Sequence, residues 1–283
     1  MVESIWRKGK LFGFMLLAGI LLMAKPALAD SYYPYEIQGY DVTVKVGKDN
    51  VYHVTERLQV NFNQARHGIY RDIPVINNVS REDGSTSRIQ ARVTNIKTYG
   101  EKRTVGREGS YCRIQLGDKN KTLVGEHMYH ISYDYNMGKD VRKGEDEFYY
   151  NIIGTSWDTT IQNVTFHIMM PEDIDESKVG MAYGESGSTN NEGLQYTING
   201  KVMEGYVDSS IILNPGEAVT VRMVLPDGYY DQVKQRIWPA LISILLSLAA
   251  AGAAFLLWWK VGRDNVVVET IQFHPPKEFN SVE

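Results

Sequence analysis

Residues 237–259 contain no charged side chain, and that run limits the chain more than any other feature of it. At about 1.5 Å per residue, a helix over this stretch reaches roughly 34 Å, enough to cross a hydrocarbon core of about 30 Å with slight tilt. Trp238 stands at one end and Trp258 with Trp259 at the other, where amphipathic rings favour the two interfaces. Pro239 falls in the first turn, where its missing N–H costs no intrahelical bond. One transmembrane α-helix is therefore expected near the C-terminus, with the lipid bilayer as its partner.

A second apolar run, 11–23, follows the basic residues Arg7, Lys8 and Lys10. Pro26 and the small-residue stretch Ala27-Leu28-Ala29 come after it, which is the layout of a signal peptide over 1–29. The alternative is an uncleaved anchor, for which the run is short against the roughly 20 apolar residues a span needs. Lys234 and Arg236 precede the later helix while Lys260 and Arg263 follow it, so flanking charge does not orient it. A translocated N-terminus does. It places 30–236 outside the cell membrane and 260–283 in the cytoplasm, giving a single-pass protein.

Between the two runs the apolar period is two almost throughout. Val42, Val44 and Val46 alternate with Thr43 and Lys45, and Tyr129, Ile131, Tyr133 and Tyr135 alternate with polar neighbours. Val164, Phe166, Ile168 and Met170 repeat the pattern, as do Val219, Val221, Met223 and Leu225. Each is a strand with one buried face. Ile89, Ala91 and Val93 begin another whose phase slips before Ile96, as a bulge near Asn95 would cause. Asn199-Gly200 reads as a two-residue hairpin turn. The expectation is an all-β, sandwich-like extracytoplasmic domain of about ten to twelve strands, in one or two lobes, with residues 184–191 as a flexible connection.

Composition removes some functions. A net charge of −4 leaves no broad basic surface for nucleic acid. The lone Cys112 has no internal disulfide partner and reads as a half-buried strand residue. One strand then breaks its own rule: Tyr52, Val54, Leu58, Val60 and Phe62 share a face with Glu56. A carboxylate on a buried face is costly unless paired. Arg71 is the candidate partner, and the pair is expected to fix the loop after this strand.

Gly68-Ile69-Tyr70-Arg71-Asp72-Ile73-Pro74 resembles the hallmark of the DUF2207 family of predicted bacterial membrane proteins. Tyr40-Asp41-Val42, Val54-Thr55-Glu56, Asn151-Ile152-Ile153-Gly154-Thr155, Trp157-Asp158 and Pro215-Gly216-Glu217 are also similar, as are Gly262-Arg263-Asp264 and His274-Pro275-Pro276. The resemblance implies a signal peptide, one extracytoplasmic β-rich domain and a membrane helix. It also implies a longer cytoplasmic portion, against which this chain reads as truncated. The family supplies no reaction.

Sites for chemistry are few. His127 and His130 have opposite parity on a strand, which makes them poor joint ligands, and no metal or cofactor is expected. Glu145-Asp146-Glu147 and the acidic stretch 172–176 lack the spacing of a calcium loop. No Gly-rich phosphate cradle opens a helix. Eighteen tyrosines, with doublets at 32–33, 149–150 and 229–230, suit recognition of sugar or peptide as well as they suit strands. Glu56, Arg71, Asp72, Trp157 and Asp158 are the candidate ligand-binding or structural residues, and no catalytic residue is assigned. The preferred expectation is a binding or scaffolding module that meets cell-wall polymer or another envelope protein. The alternatives are an envelope enzyme pairing Glu56 or Asp72 with Asp158, and the ectodomain of a transmembrane sensor.

Overall fold

Alternation along each strand decides which faces meet. The computed structural model describes residues 33–80, 84, 86–140, 142, 144–233 and 238–262. The expected signal peptide, the charges Lys234, Arg236 and Arg263, and the His274-Pro275-Pro276 motif lie outside the described residues. In chain order the strands are β1 (Tyr35–Val46), β2 (Val51–Arg66), β3 (Gly68–Pro74), β4 (Ile76–Ser80), β5 (Thr86–Gln90), β6 (Arg92–Thr98), β7 (Arg103–Glu108) and β8 (Tyr111–Gly117). They continue with β9 (Leu123–Asn136), β10 (Glu145–Ile153), β11 (Val164–Met169), β12 (Val179–Gly184), β13 (Leu194–Asn199), β14 (Val202–Val207) and β15 (Ala218–Pro226). Fifteen strands among the described residues exceed the ten to twelve expected. The surplus is β4, β5 and β7, whose sequences do not alternate cleanly; every β7 residue is exposed.

A seven-stranded sheet of order β13-β14-β11-β1-β2-β9-β6 is the backbone of the domain. Within it β1 and β11 run parallel, while β1–β2 and β2–β9 are long antiparallel pairs. Three strands, β10-β15-β12, form a second sheet, and β3-β8-β7 a third. The inner faces meet through aromatic rings: Tyr52 of β2 lies 5.1 Å from Phe148 and 5.8 Å from Tyr150 of β10. Residues from all three sheets belong to one continuous buried cluster, so the domain is one lobe.

Of three local expectations, the first is met and the other two are corrected. The β6–β9 register slips between Thr94 and Lys97, and Asn95 adopts a φ of 53°, which is the bulge. In the β13–β14 hairpin, Asn199 pairs with Val202, so the turn residues are Gly200 and Lys201, one position later than expected. Gly200 takes a φ of 57° and Asn199 keeps its place in the ladder. The stretch 184–191 joins the second sheet to the first, and it is pinned: the Ser188 hydroxyl donates to the Tyr183 carbonyl and the Tyr183 N–H to the Asn190 carbonyl.

Beyond the β-domain, α1 (Trp238–Val261) runs 24 residues. Its Leu241, Leu245, Leu248, Phe255 and Leu256 side chains are exposed. A helix this long and apolar, with Lys260 as its one charged residue, has the dimensions of a membrane span.

Candidate functional site

Arg71 and Asp72 are consecutive on β3, so their side chains leave opposite faces of the strand. The fold uses the two faces differently.

Inward, Arg71 meets Glu56 of β2. The Arg71 Nε–H donates to Glu56 Oε2 at 2.8 Å and an Nη2–H to Oε1 at 2.7 Å, a bidentate pair. Two hydroxyls complete the carboxylate: Tyr40 donates to Oε2 at 2.8 Å and Tyr133 to Oε1 at 2.6 Å. The Tyr133 and Tyr150 hydroxyls lie 3.0 Å apart, extending the network to β10. Glu56 is fully buried and Arg71 is 2% exposed. Burial pushes the Glu56 carboxyl up, but the Arg71 charge and the hydrogen bonds from Arg71, Tyr133 and Tyr40 outweigh it and hold the group below the ordinary carboxylate range. Burial likewise opposes the Arg71 charge, and Glu56 more than restores it. Burial next to Glu56 keeps the phenols of Tyr40 and Tyr133 protonated, as donors must be.

Trp157 backs this pair. The Arg71 guanidinium lies 5.7 Å from its ring centroid, and Tyr40 meets the ring edge-on at 5.8 Å. Trp157 is buried, and its indole N–H has no hydrogen-bond partner among the described residues. Arg71 also donates from Nη1 to the Asp72 carbonyl at 2.8 Å, which the Ser156 hydroxyl shares at 2.9 Å. That ties β3 to the segment after β10.

Outward, Asp72 accepts two hydrogen bonds from Arg113 of β8, at 2.8 and 2.7 Å. Arg113 remains 37% exposed, lies over the Tyr70 ring, and is 3.5 Å from Glu108. Its guanidinium is held well above the usual range, first by the hydrogen bonds to Asp72. Asp158 is elsewhere again, exposed and accepting from the Tyr35 hydroxyl at 2.5 Å.

The rest of the motif is built for pairing. A Cβ on Gly68 would stand 1.8 Å from the Leu116 carbonyl oxygen, and one on Gly117 would stand 1.9 Å from that of His67. Both take φ above 130°, so the β3–β8 ladder closes on two glycines. Ile69 and Ile73 bury alongside Arg71, and the Pro74 carbonyl accepts from the Tyr135 hydroxyl at 2.8 Å.

The structure therefore brings Glu56, Arg71 and Trp157 together and leaves Asp72 and Asp158 apart from them, each with its own partner. An acid–base pair needs two carboxyls on an open cleft. Glu56, fully buried under four donated hydrogen bonds, has none. Sequence reasoning missed Tyr40, Tyr133, Tyr150 and Arg113. The first two were findable: Glu56 sits opposite Val42 and Ile131 in the ladder, so inward-facing Tyr40 and Tyr133 are one diagonal step away. Of the tyrosine doublets, 229–230 is no open recognition surface, since Tyr229 and Tyr230 are buried, and in 149–150 Tyr150 is buried.

The other candidates are likewise committed. His127 binds Glu101 at 2.7 Å on one face of β9, while His130 stacks on Tyr99 at 4.3 Å on the other. Glu147 takes Arg142 and Arg222, and Glu172 takes Lys48. Among the described residues no group of three or more His, Cys, Asp or Glu side chains is placed to hold a metal ion. Cys112 is half-buried, and burial pushes its thiol up.

Beside Arg71 lies a cavity of about 30 Å³, bordered by β3, the β4–β5 hairpin, the end of β9 and β10. Asn77, Tyr149, Asn151 and Gly154 line it together with apolar side chains.

Several solved structures share part of the chain's course. The M1 zinc metallopeptidase of Deinococcus radiodurans is 11% identical, with a TM-score of 0.34 over 66% of this chain and 42% of that one. Leukotriene A4 hydrolase of Saccharomyces cerevisiae is 6% identical, with a TM-score of 0.35 over 71% and 32%. A nutrient-binding-type protein of Legionella pneumophila is 9% identical, with a TM-score of 0.34 over 69% and 68%. This chain matches less than half the length of the metallopeptidase or of the hydrolase, and likeness at these scores says nothing about activity. No curated protein matches in sequence. The family model described as predicted membrane protein (DUF2207), N-terminal domain, matches residues 36–225, two thirds of the chain and nearly the whole β-domain from β1 to β15, and the chain belongs to that family.

Proposed function

We propose that this protein is a membrane-anchored binding or scaffolding module, with its β-domain displayed on the outer side of the cell membrane. The observation that supports this most directly is the state of Glu56. The sharpest sequence motif is spent on a buried ion pair whose carboxylate is fully satisfied, so it builds a rigid platform and leaves recognition to the surface and to the cavity beside Arg71. A signal peptide over 1–29 and a span near the C-terminus support the orientation, with residues from about 260 in the cytoplasm. The test uses the full-length protein in lipid nanodiscs, co-sedimented with isolated cell-wall material. Saturable binding that is lost when the protein is heat-unfolded supports an envelope-recognition module. Absence of binding removes the wall as partner and points to another membrane protein. Protease treatment of spheroplasts checks the orientation: cleavage confined to the α1-distal tail in intact vesicles of inverted sidedness, and to the β-domain in spheroplasts, is the expected pattern.

A further inference from the structure

The cavity beside Arg71 has an unusual set of groups for its size. Arg71 carries five N–H donors. Two go to Glu56 and one to the Asp72 carbonyl, which leaves two without a protein partner among the described residues. Glu56 cancels the charge, so the cavity offers hydrogen-bond donors without net attraction for an anion. Asn77 makes no side-chain hydrogen bond among the described residues, and the Asn151 Oδ1 accepts from Thr220, leaving its amide N–H₂ as donor. Ile73, Ile89 and Met137 supply an apolar wall.

We propose that this cavity receives a small neutral amide group, the acetamido substituent of an N-acetylated amino sugar. The carbonyl oxygen takes the spare guanidinium N–H groups, the amide N–H donates to the Asn77 Oδ1, and the methyl packs on the apolar wall. Volume selects a terminal substituent over a chain that passes through. About 30 Å³ takes a group of a few heavy atoms, the size of two to three waters, well below the 300–1,000 Å³ or so of a pocket that encloses a whole ligand. Gly154 lines the cavity: a Cβ there would stand 3.9 Å from Arg71 Nη1, an ordinary distance, and would occupy part of the space without straining the backbone. The inference rests on the envelope-binding reading, which supplies a polymer bearing the group.

Saturation-transfer NMR on the full-length protein in nanodiscs tests it, with N-acetylglucosamine, glucosamine and glucose as probes. The expected result is saturable transfer to N-acetylglucosamine, strongest at the acetamido methyl, with a Kd of about 1 mM for so small a group, and none to the other two sugars. Gly154→Val and Asn77→Ala should each weaken binding at least about tenfold while unfolding at a temperature close to the wild type. Gly154→Ala, with its smaller side chain, answers the question if the valine variant does not fold. No transfer, transfer undiminished in both folded variants, or an N-acetylated peptide binding as well as the sugar would overturn the proposal. Wall co-sedimentation that persists without probe binding overturns only the cavity's role, whereas loss of both overturns the envelope reading too.

Discussion

Neighbouring residues of one strand make the same bidentate carboxylate–guanidinium contact in opposite surroundings. Arg71 with Glu56 is buried among three sheets, with two tyrosine hydroxyls completing the carboxylate. Asp72 with Arg113 sits at the rim, the guanidinium 37% exposed. Geometry is nearly identical, at 2.7 to 2.8 Å in all four bonds. What differs is the alternative open to each group. Water replaces a lost partner at the rim, but in the core nothing does, so only the inner pair locks the sheets together.

The largest effect expected is therefore from Arg71→Met, at about 3–5 kcal/mol, because it strands a buried carboxylate. For a domain of this size that lowers the unfolding temperature by roughly 10 °C in calorimetry. The pH dependence carries the sign. In the wild type the folded Glu56 carboxyl lies below its unfolded value, so its stabilisation is present above the ordinary carboxylate range and lost as pH falls through the lowered folded value. Without Arg71, burial is left to push the group up, and the protonated form then suits the site. The deficit of the variant should shrink as pH falls from 7 toward 5. A deficit that grows on acidification breaks the assignment.

A double-mutant cycle sharpens the point. Glu56→Leu with Arg71→Met removes both charges, and its cost should fall short of the summed single costs by at least ~2 kcal/mol, since neither partner is left unpaired. Strictly additive losses would mean that the two groups do not act as a unit. Tyr133→Phe comes next, at about 1–3 kcal/mol, because it deletes one donor to Glu56 and the contact with Tyr150. Chemical denaturation reads both. A null effect would show that the carboxylate is satisfied by Arg71 alone.

How far the sequence carries this comparison depends on burial. Strands with one buried face announce themselves, as at β1, β2, β9, β11 and β15, and Glu56 was visible because it violates such a face. Strand β7, exposed on both faces, has no alternation to read, and β4 with β5 forms a hairpin detached from the sheets. Hairpin phase at Asn199-Gly200 was off by one because both residues tolerate positive φ, and only the ladder decides which uses it. The parallel β1–β11 pairing joins residues more than a hundred positions apart, beyond any local pattern. The site was legible to the same degree: Glu56–Arg71 followed from parity, whereas Arg113 pairs with Asp72 through a β3–β8 register that parity alone does not set.

Asp72→Asn is the smallest effect and the one that can break the comparison. The substitution keeps the shape of the side chain and its place on β3, and removes only the charge opposite Arg113. Exposed pairs of this kind contribute about 0.2–1 kcal/mol, and the exposed guanidinium, already shared with Glu108, places this one at the low end. Salt separates the two pairs further. At 1 M the screening length is about 3 Å, so the Asp72→Asn deficit should vanish while that of Arg71→Met persists in a core that ions do not enter. Equal and salt-insensitive losses from both variants would mean that Asp72 and Arg113 are shielded in the working protein, and a surface covering Tyr70 and Arg113 would then be the place to look for a partner.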